Sequence, residues 1–178
     1  FFLGILRESK ALRPDLKWGF YGYPNRRNAE YMQAGPNEWT RFNDRRNWLY
    51  EASDVLYPAL YCQIQAVPDD DADRRPGQQW PVSFLSNTVR GNLREFRRCA
   101  GPDKEVICFA GVRYQGPNDP NLEGQFLEPL DVQISIQLPH DVGADGIILW
   151  DMISNEGDYN GIQQYMTSSI NPYVRNLF

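Results

Sequence analysis

A chain of 178 residues is long enough for one domain with a real core, but short of the roughly 250 residues of a complete eightfold enzyme barrel. Hydrophobic content of 42% and charged content of 23% are ordinary for a globular protein and exclude disorder as the default. A net charge of −5 argues against non-specific nucleic-acid binding, which needs a clustered positive surface, and no apolar run is long enough for a membrane span.

The opening FFLGILRESKALRP sets Phe2, Leu3, Ile5, Leu6 and Leu12 on one helical face with Arg7, Glu8 and Lys10 opposite, and Arg13-Pro14 closes it. It lacks a Met, a basic leader and a small-residue cleavage site, so the chain is expected to start inside a longer one. LKWGFYGYP follows as an aromatic strand that Pro24 and Asn25 cannot continue. Residues 25–43, polar and carrying Gly35-Pro36, read as a long connection. DRRNWLYEASD has a helical pattern, and VLYPALYCQI is a short apolar strand interrupted by Pro58.

VPDDDADRRPGQQWP reads as an exposed loop, and its acids lack the Gly and terminal Glu of a calcium-binding EF-hand. VSFLSNTVRGNLREFRRCAG is a helix with Phe84, Leu85, Val89, Leu93 and Phe96 on its buried side and Gly101-Pro102 as its stop. EVICFAGVRY is the next strand. Beyond the loop QGPNDPNLEG, residues 126–142 are amphipathic, and Pro129 and Pro139 predict a break there. ADGIILWDM has the continuous apolar run of a strand covered on both faces, and a final helix is expected around residues 159–170. Alternating strands and helix-length connections require a parallel sheet, either small and doubly wound or half of an eightfold barrel.

The ends of the expected strands carry rings: Tyr21 and Tyr23, Tyr61, Tyr114 and Trp150. Core packing accounts for any one of them, but their repetition at the carboxyl edge, where parallel sheets bind ligands, suits a sugar platform. Other chemistries lack their residues. His140 is the single histidine, Cys62, Cys99 and Cys108 match no zinc spacing, and no phosphate-binding glycine loop occurs, so neither cofactor nor metal is expected. No Asn-x-Ser/Thr acceptor is present.

LRPDLKWGFYGYPN resembles the hyaluronidase pattern in which an RP-x-x-x-WG-x-Y strand runs into a Y/F-P turn. WLYEASDVLYPALY is similar to the family's W-L-x-E-S-x-x-L-x-P-S-x-Y segment, VGADGIILW to its last strand, and YMTSSINPYV to the helix that follows. The resemblance implies an α/β fold, a (β/α) TIM-like barrel of which this chain supplies roughly the last four β/α units as the C-terminal part of one catalytic domain. It also implies an endo-β-N-acetylhexosaminidase that hydrolyses β-1,4 bonds in hyaluronan or chondroitin by substrate-assisted, retaining catalysis. In that scheme the substrate's own acetamide oxygen is the nucleophile, a known exception to the two-carboxylate mechanism.

The family's catalytic Asp-x-Glu pair is expected upstream of Phe1, so no catalytic acid or base is assigned within the chain. Asp103-Lys104-Glu105 precedes its strand and stands at the wrong mouth of a barrel. Tyr21 and Tyr61 match the family tyrosines that hold the acetamide, and Trp150 matches the pocket wall. The implied partners are an N-acetylhexosamine-containing polysaccharide and a preceding segment or second chain completing the barrel, in a secreted or vesicular setting. Family cysteines after the Y/F-P turn and in the last helix are absent, so three free thiols are expected. The family's arginine before the third strand falls at Arg90 or Asn92. The alternative is a non-catalytic relative that keeps the barrel as a structural or carbohydrate-binding protein.

Overall fold

The structure is a computed structural model that describes residues 1–24, 36–70, 79–115 and 121–175. In chain order its first elements are α1 (Phe2–Leu12), α2 (Pro36–Asp44), α3 (Asn47–Ala52), β1 (Val55–Leu56), β2 (Gln65–Val67) and β3 (Gln79–Pro81). The long α4 (Val82–Ala100) leads into β4 (Glu105–Gly111). Next, α5 (Pro129–Val132), a π-helical segment Gln133–Gln137 and α6 (Leu138–Asp141) follow one another directly, then β5 (Gly146–Trp150). The last helical run is α7 (Glu156–Tyr165), a second π segment Met166–Ile170 and α8 (Asn171–Val174).

The sheet is parallel and three-stranded in the order β1-β4-β5, with Leu56 beside Val106 and Gly111 beside Trp150. All its strands therefore end at one edge. The expected LKWGFYGYP strand lies along the outer side of β1, where Trp18 O accepts from Asp54 N at 2.7 Å and Gly22 N donates to Tyr57 O at 2.8 Å. It is irregular because Gly22 turns through φ 82°, so Tyr21 bridges Tyr57 in parallel while Tyr23 bridges the same residue antiparallel. Gly19 permits the close approach, since a Cβ there would come within 2.1 Å of Val55 O.

Helix α4 covers the sheet with Leu93 and Phe96, both essentially inaccessible, while Arg90 and Arg94 face outward. Leu6 from α1 and Tyr50 from α3 join them over Leu56, Val106 and Cys108, and Trp18, Phe20 and Tyr23 pack at the margin. A second cluster, including Val112, Tyr114, Leu127, Ile136 and Ile170, sits under the carboxyl edge. At the opposite edge, Lys17 pairs with Glu105 at 2.5 Å and Lys104 donates to Tyr50 O at 2.5 Å. Asp103-Lys104-Glu105 is thus a structural turn at the amino end of β4.

Several expectations need correction. Helix α2 lies within the stretch read as a connection, because Pro36 occupies the first helical position and its missing N–H costs nothing there; residues 25–35 fall outside the described ones. The helix expected across residues 44–54 is divided at Arg45 and Arg46, with α2 before and α3 after. The loop read across residues 67–81 is flanked by β2 and β3, which pair in parallel from Gln65–Gln79 to Val67–Pro81; residues 71–78 are outside the description.

The break expected at Pro129 and Pro139 does not occur. Pro129 starts α5, and Leu138 N reaches back to Gln133 O, so the turn is already widened where Pro139 lacks its donor. Strand β5 was expected to be covered on both faces; it is the sheet's edge strand, with Ile147, Ile148 and Leu149 half-buried and Trp150 exposed. Cys62, Cys99 and Cys108 are free thiols.

Candidate functional site

Parallel strands deliver their last residues to a common edge, and three predicted site residues meet there. Tyr21 Oη donates to Tyr61 Oη at 2.9 Å, and their ring centroids are 6.4 Å apart. The Tyr61 ring lies 6.2 Å from that of Trp150, tilted by 55°. Tyr21 rests edge-on against Phe109, 4.9 Å between centroids, which fixes its ring from below. Tyr21 and Trp150 remain 54% and 42% exposed, so the group is open to solvent. Gly111 makes room for it, because a Cβ there would stand 3.3 Å from the Tyr61 ring and 3.1 Å from Arg113 O.

Tyr114, the other ring expected at this edge, is 1% exposed and belongs to the core beneath. Its hydroxyl donates to Asp131 Oδ2 at 2.6 Å, and Asp131 Oδ1 accepts from Ala66 N at 3.0 Å and from the Cys62 thiol at 3.5 Å. Burial pushes the Asp131 carboxyl up to about 6, against the pull of those hydrogen bonds. Burial likewise raises the Tyr114 hydroxyl and the Cys62 thiol. Cys62 O accepts from Gln115 N at 3.1 Å. Asp131 thus ties the backbone just beyond Tyr61 to the strand end that carries Tyr114.

Beside Trp150 a cavity of about 300 Å³ is lined by Arg113, Gln115, Glu123, Asp151 and Ser154, among others. Arg113 is mostly buried and pairs with Asp158 at 3.0 Å and with Asp151 at 3.7 Å. Sequence reasoning missed Asp131 and Arg113. The available signal for Asp131 was an acid between Leu130 and Val132 on a helix that otherwise turns apolar residues inward. Of the two candidates for the family arginine, Arg90 is exposed on α4 and Asn92 is buried. His140 sits on α6 beside Asp141 at 3.3 Å. Among the described residues, no group of three or more His, Cys, Asp or Glu side chains is placed to hold a metal.

The carboxyl edge of this parallel α/β scaffold, the edge at which such sheets commonly bind ligands, thus presents a hydroxyl pair beside an indole ring. The chain belongs to the hyaluronidase family, whose sequence profile matches residues 1–178. It is 26% identical over 178 residues to the hyaluronidase of Apis mellifera, an alignment that covers 97% of this chain and 43% of that protein. To hyaluronidase-3 of Homo sapiens it is 29% identical over 184 residues, covering 97% and 40%. To the chondroitin hydrolase of Caenorhabditis elegans it is 24% identical over 181 residues, covering 98% and 36%.

Its α/β fold is similar to that of part of bee venom hyaluronidase. The crystal structure of that enzyme in complex with a hyaluronic acid tetramer superposes with a TM-score of 0.75 at 24% identity, covering 99% of this chain and 52% of the other. The chain spans about half the length, or less, of these relatives.

Proposed function

We propose that the chain forms the later β/α units of a hyaluronidase-type barrel that hydrolyses β-1,4 bonds after N-acetylhexosamine units in hyaluronan or chondroitin. The observation that carries this reading is the 2.9 Å hydroxyl pair of Tyr21 and Tyr61 beside Trp150, at the carboxyl edge of a parallel sheet in a member of this family. Tyr21 and Tyr61 hold the acetamide so that its oxygen lies under the anomeric carbon, and Trp150 walls the pocket. Attack by that oxygen opens the glycosidic bond and retains configuration once water has resolved the ring intermediate. The Asp-x-Glu pair that protonates the leaving oxygen and orients the acetamide is contributed by the other half of the barrel. The setting that suits this substrate is secreted or vesicular, and no helix among the described residues is long and apolar enough to cross a membrane.

The alternative, a non-catalytic structural or sugar-binding relative, draws support from the lack of the family's cysteines after the Tyr23-Pro24 turn and in the last helix, and of any Asn-x-Ser/Thr acceptor. New reducing ends, assayed after incubating the intact protein with hyaluronan and with unsulfated chondroitin, separate the two. The enzyme releases them from at least one polymer; polymer binding without release supports the binding protein.

A further inference from the structure

We propose that Arg113 is a positioning residue that sets the Trp150 wall by clamping both ends of the turn between β5 and α7. Just past β4, Val112 and Tyr114 point into the second core, so alternation sends the Arg113 side chain to the other face. There its guanidinium meets Asp151, the residue after Trp150, and Asp158 in the first turn of α7. The Phe126 ring covers the guanidinium at 4.8 Å and is itself stacked on Tyr165 at 4.4 Å.

Each carboxylate is committed to the same turn by its other contacts. Asp151 Oδ1 accepts from Met152 N at 2.7 Å, and Asp158 Oδ2 accepts from Ser154 N at 3.1 Å. Asn155 caps α7 by accepting from Asp158 N at 3.0 Å. Arg113 therefore joins the start of the turn to its end, with Trp150 immediately before the first anchor. Met152 and Ile153 at the crest are largely exposed and add little packing of their own.

The Asp158 leg is a hydrogen bond, Arg113 Nη2 donating to Oδ1 at 3.0 Å, whereas the Asp151 leg is electrostatic. Arg113 Nε and Asp151 Oδ2 are both buried without a hydrogen-bond partner among the described residues, and they face each other at 3.7 Å. Without the guanidinium, Asp151 would be a buried carboxylate close to a second one, and the turn would have to open to hydrate it. Opening would release the indole from its 55° tilt against Tyr61. The effect on turnover rests on the sugar site proposed above; the effect on Trp150 does not.

The test uses the intact protein and two readouts. Trp150 fluorescence is isolated as the difference between each protein and its Trp150→Phe counterpart, and its quenching by acrylamide is measured. Arg113→Met should leave the circular dichroism spectrum unchanged, raise quenching of the Trp150 component about twofold, and lower kcat on the polymer about tenfold with a smaller change in KM. Arg113→Lys keeps the charge but lacks the fork that reaches both carboxylates, and should remain altered in the Trp150 signal. Should Arg113→Met fail to fold, Asp158→Asn removes one leg of the clamp and is read the same way.

A folded Arg113→Met protein with parental Trp150 quenching overturns the proposal, and so does full restoration of that signal by Arg113→Lys. If the parent cleaves neither polymer, the functional reading falls, while the quenching comparison still decides the role of Arg113.

Discussion

The hydroxyl of Tyr21 donates to that of Tyr61 across 2.9 Å, joining the tips of two neighbouring extended segments that are 40 residues apart in the chain. This bond makes the pair a single hydrogen-bonding unit, and it is exposed enough that the fold does not depend on it. Tyr21→Phe should therefore leave the melting temperature of the intact protein unchanged within a degree or two and lower kcat/KM on its polymer. A hydrogen bond to the reacting acetamide is worth about 1–3 kcal/mol, on the order of a tenfold to hundredfold loss. Unchanged turnover in a folded Tyr21→Phe protein removes Tyr21 from the site.

Asp131 gives a prediction with a definite sign. Its folded-state value of about 6 lies above that of an unfolded aspartate near 4. Below about pH 4 the group is neutral in both states; as pH rises toward 6 the unfolded chain ionises first, and the folded state loses stability. At about 1.4 kcal/mol per unit, the loss reaches about 3 kcal/mol by pH 7. Denaturant unfolding of the parent and of Asp131→Asn at pH 4, 5 and 6.5 isolates this contribution, because other carboxylates, such as those of Asp54 and Asp145, shift the opposite way in both proteins. The difference in stability should move in favour of the asparagine variant as pH rises; a difference that stays flat contradicts the buried carboxyl.

Because parallel strands share one carboxyl edge, strand assignment brings Tyr21, Tyr23, Tyr61, Tyr114 and Trp150 toward it, and the family resemblance singles out Tyr21, Tyr61 and Trp150, the three whose rings meet there. Helix α4 was equally legible from the spacing of Leu93 and Phe96 and from Gly101, which ends it at φ 70°. Other features left weaker traces. Gly35-Pro36 reads as loop punctuation although proline is also a helix-start residue, and strands as short as β2 and β3 are too brief to show alternation. The Arg113 clamp spans 45 residues to Asp158, and nothing local to any of its members announces the others. Tyr114 went to the core because Asp131 satisfies its hydroxyl there, a tertiary fact that strand position does not encode.

Cysteine reactivity follows burial. Cys108 is inaccessible in β4, and burial pushes its thiol up to about 12, so almost none is thiolate at neutral pH. In the native intact protein, the peptide carrying Cys108 should stay unmodified by iodoacetamide for hours, and after denaturation without reductant the peptides of Cys62, Cys99 and Cys108 should all alkylate. Mass spectrometry of the digest reports this directly. A peptide that alkylates only after reduction would reveal a disulfide and contradict the packing of these side chains.

The central claim is that Tyr21, Tyr61 and Trp150 hold an N-acetylhexosamine whose own acetamide attacks the anomeric carbon. That chemistry inverts the centre twice, so the first product formed must carry the configuration of the bond that was cleaved. Proton NMR of the anomeric region, recorded during the first minutes of hyaluronan or chondroitin digestion by the intact protein and before mutarotation, reads this outcome. The account predicts that the β-anomer of the new N-acetylhexosamine reducing end appears first and the α-anomer only later. Initial appearance of the α-anomer, or no cleavage of either polymer, would contradict it.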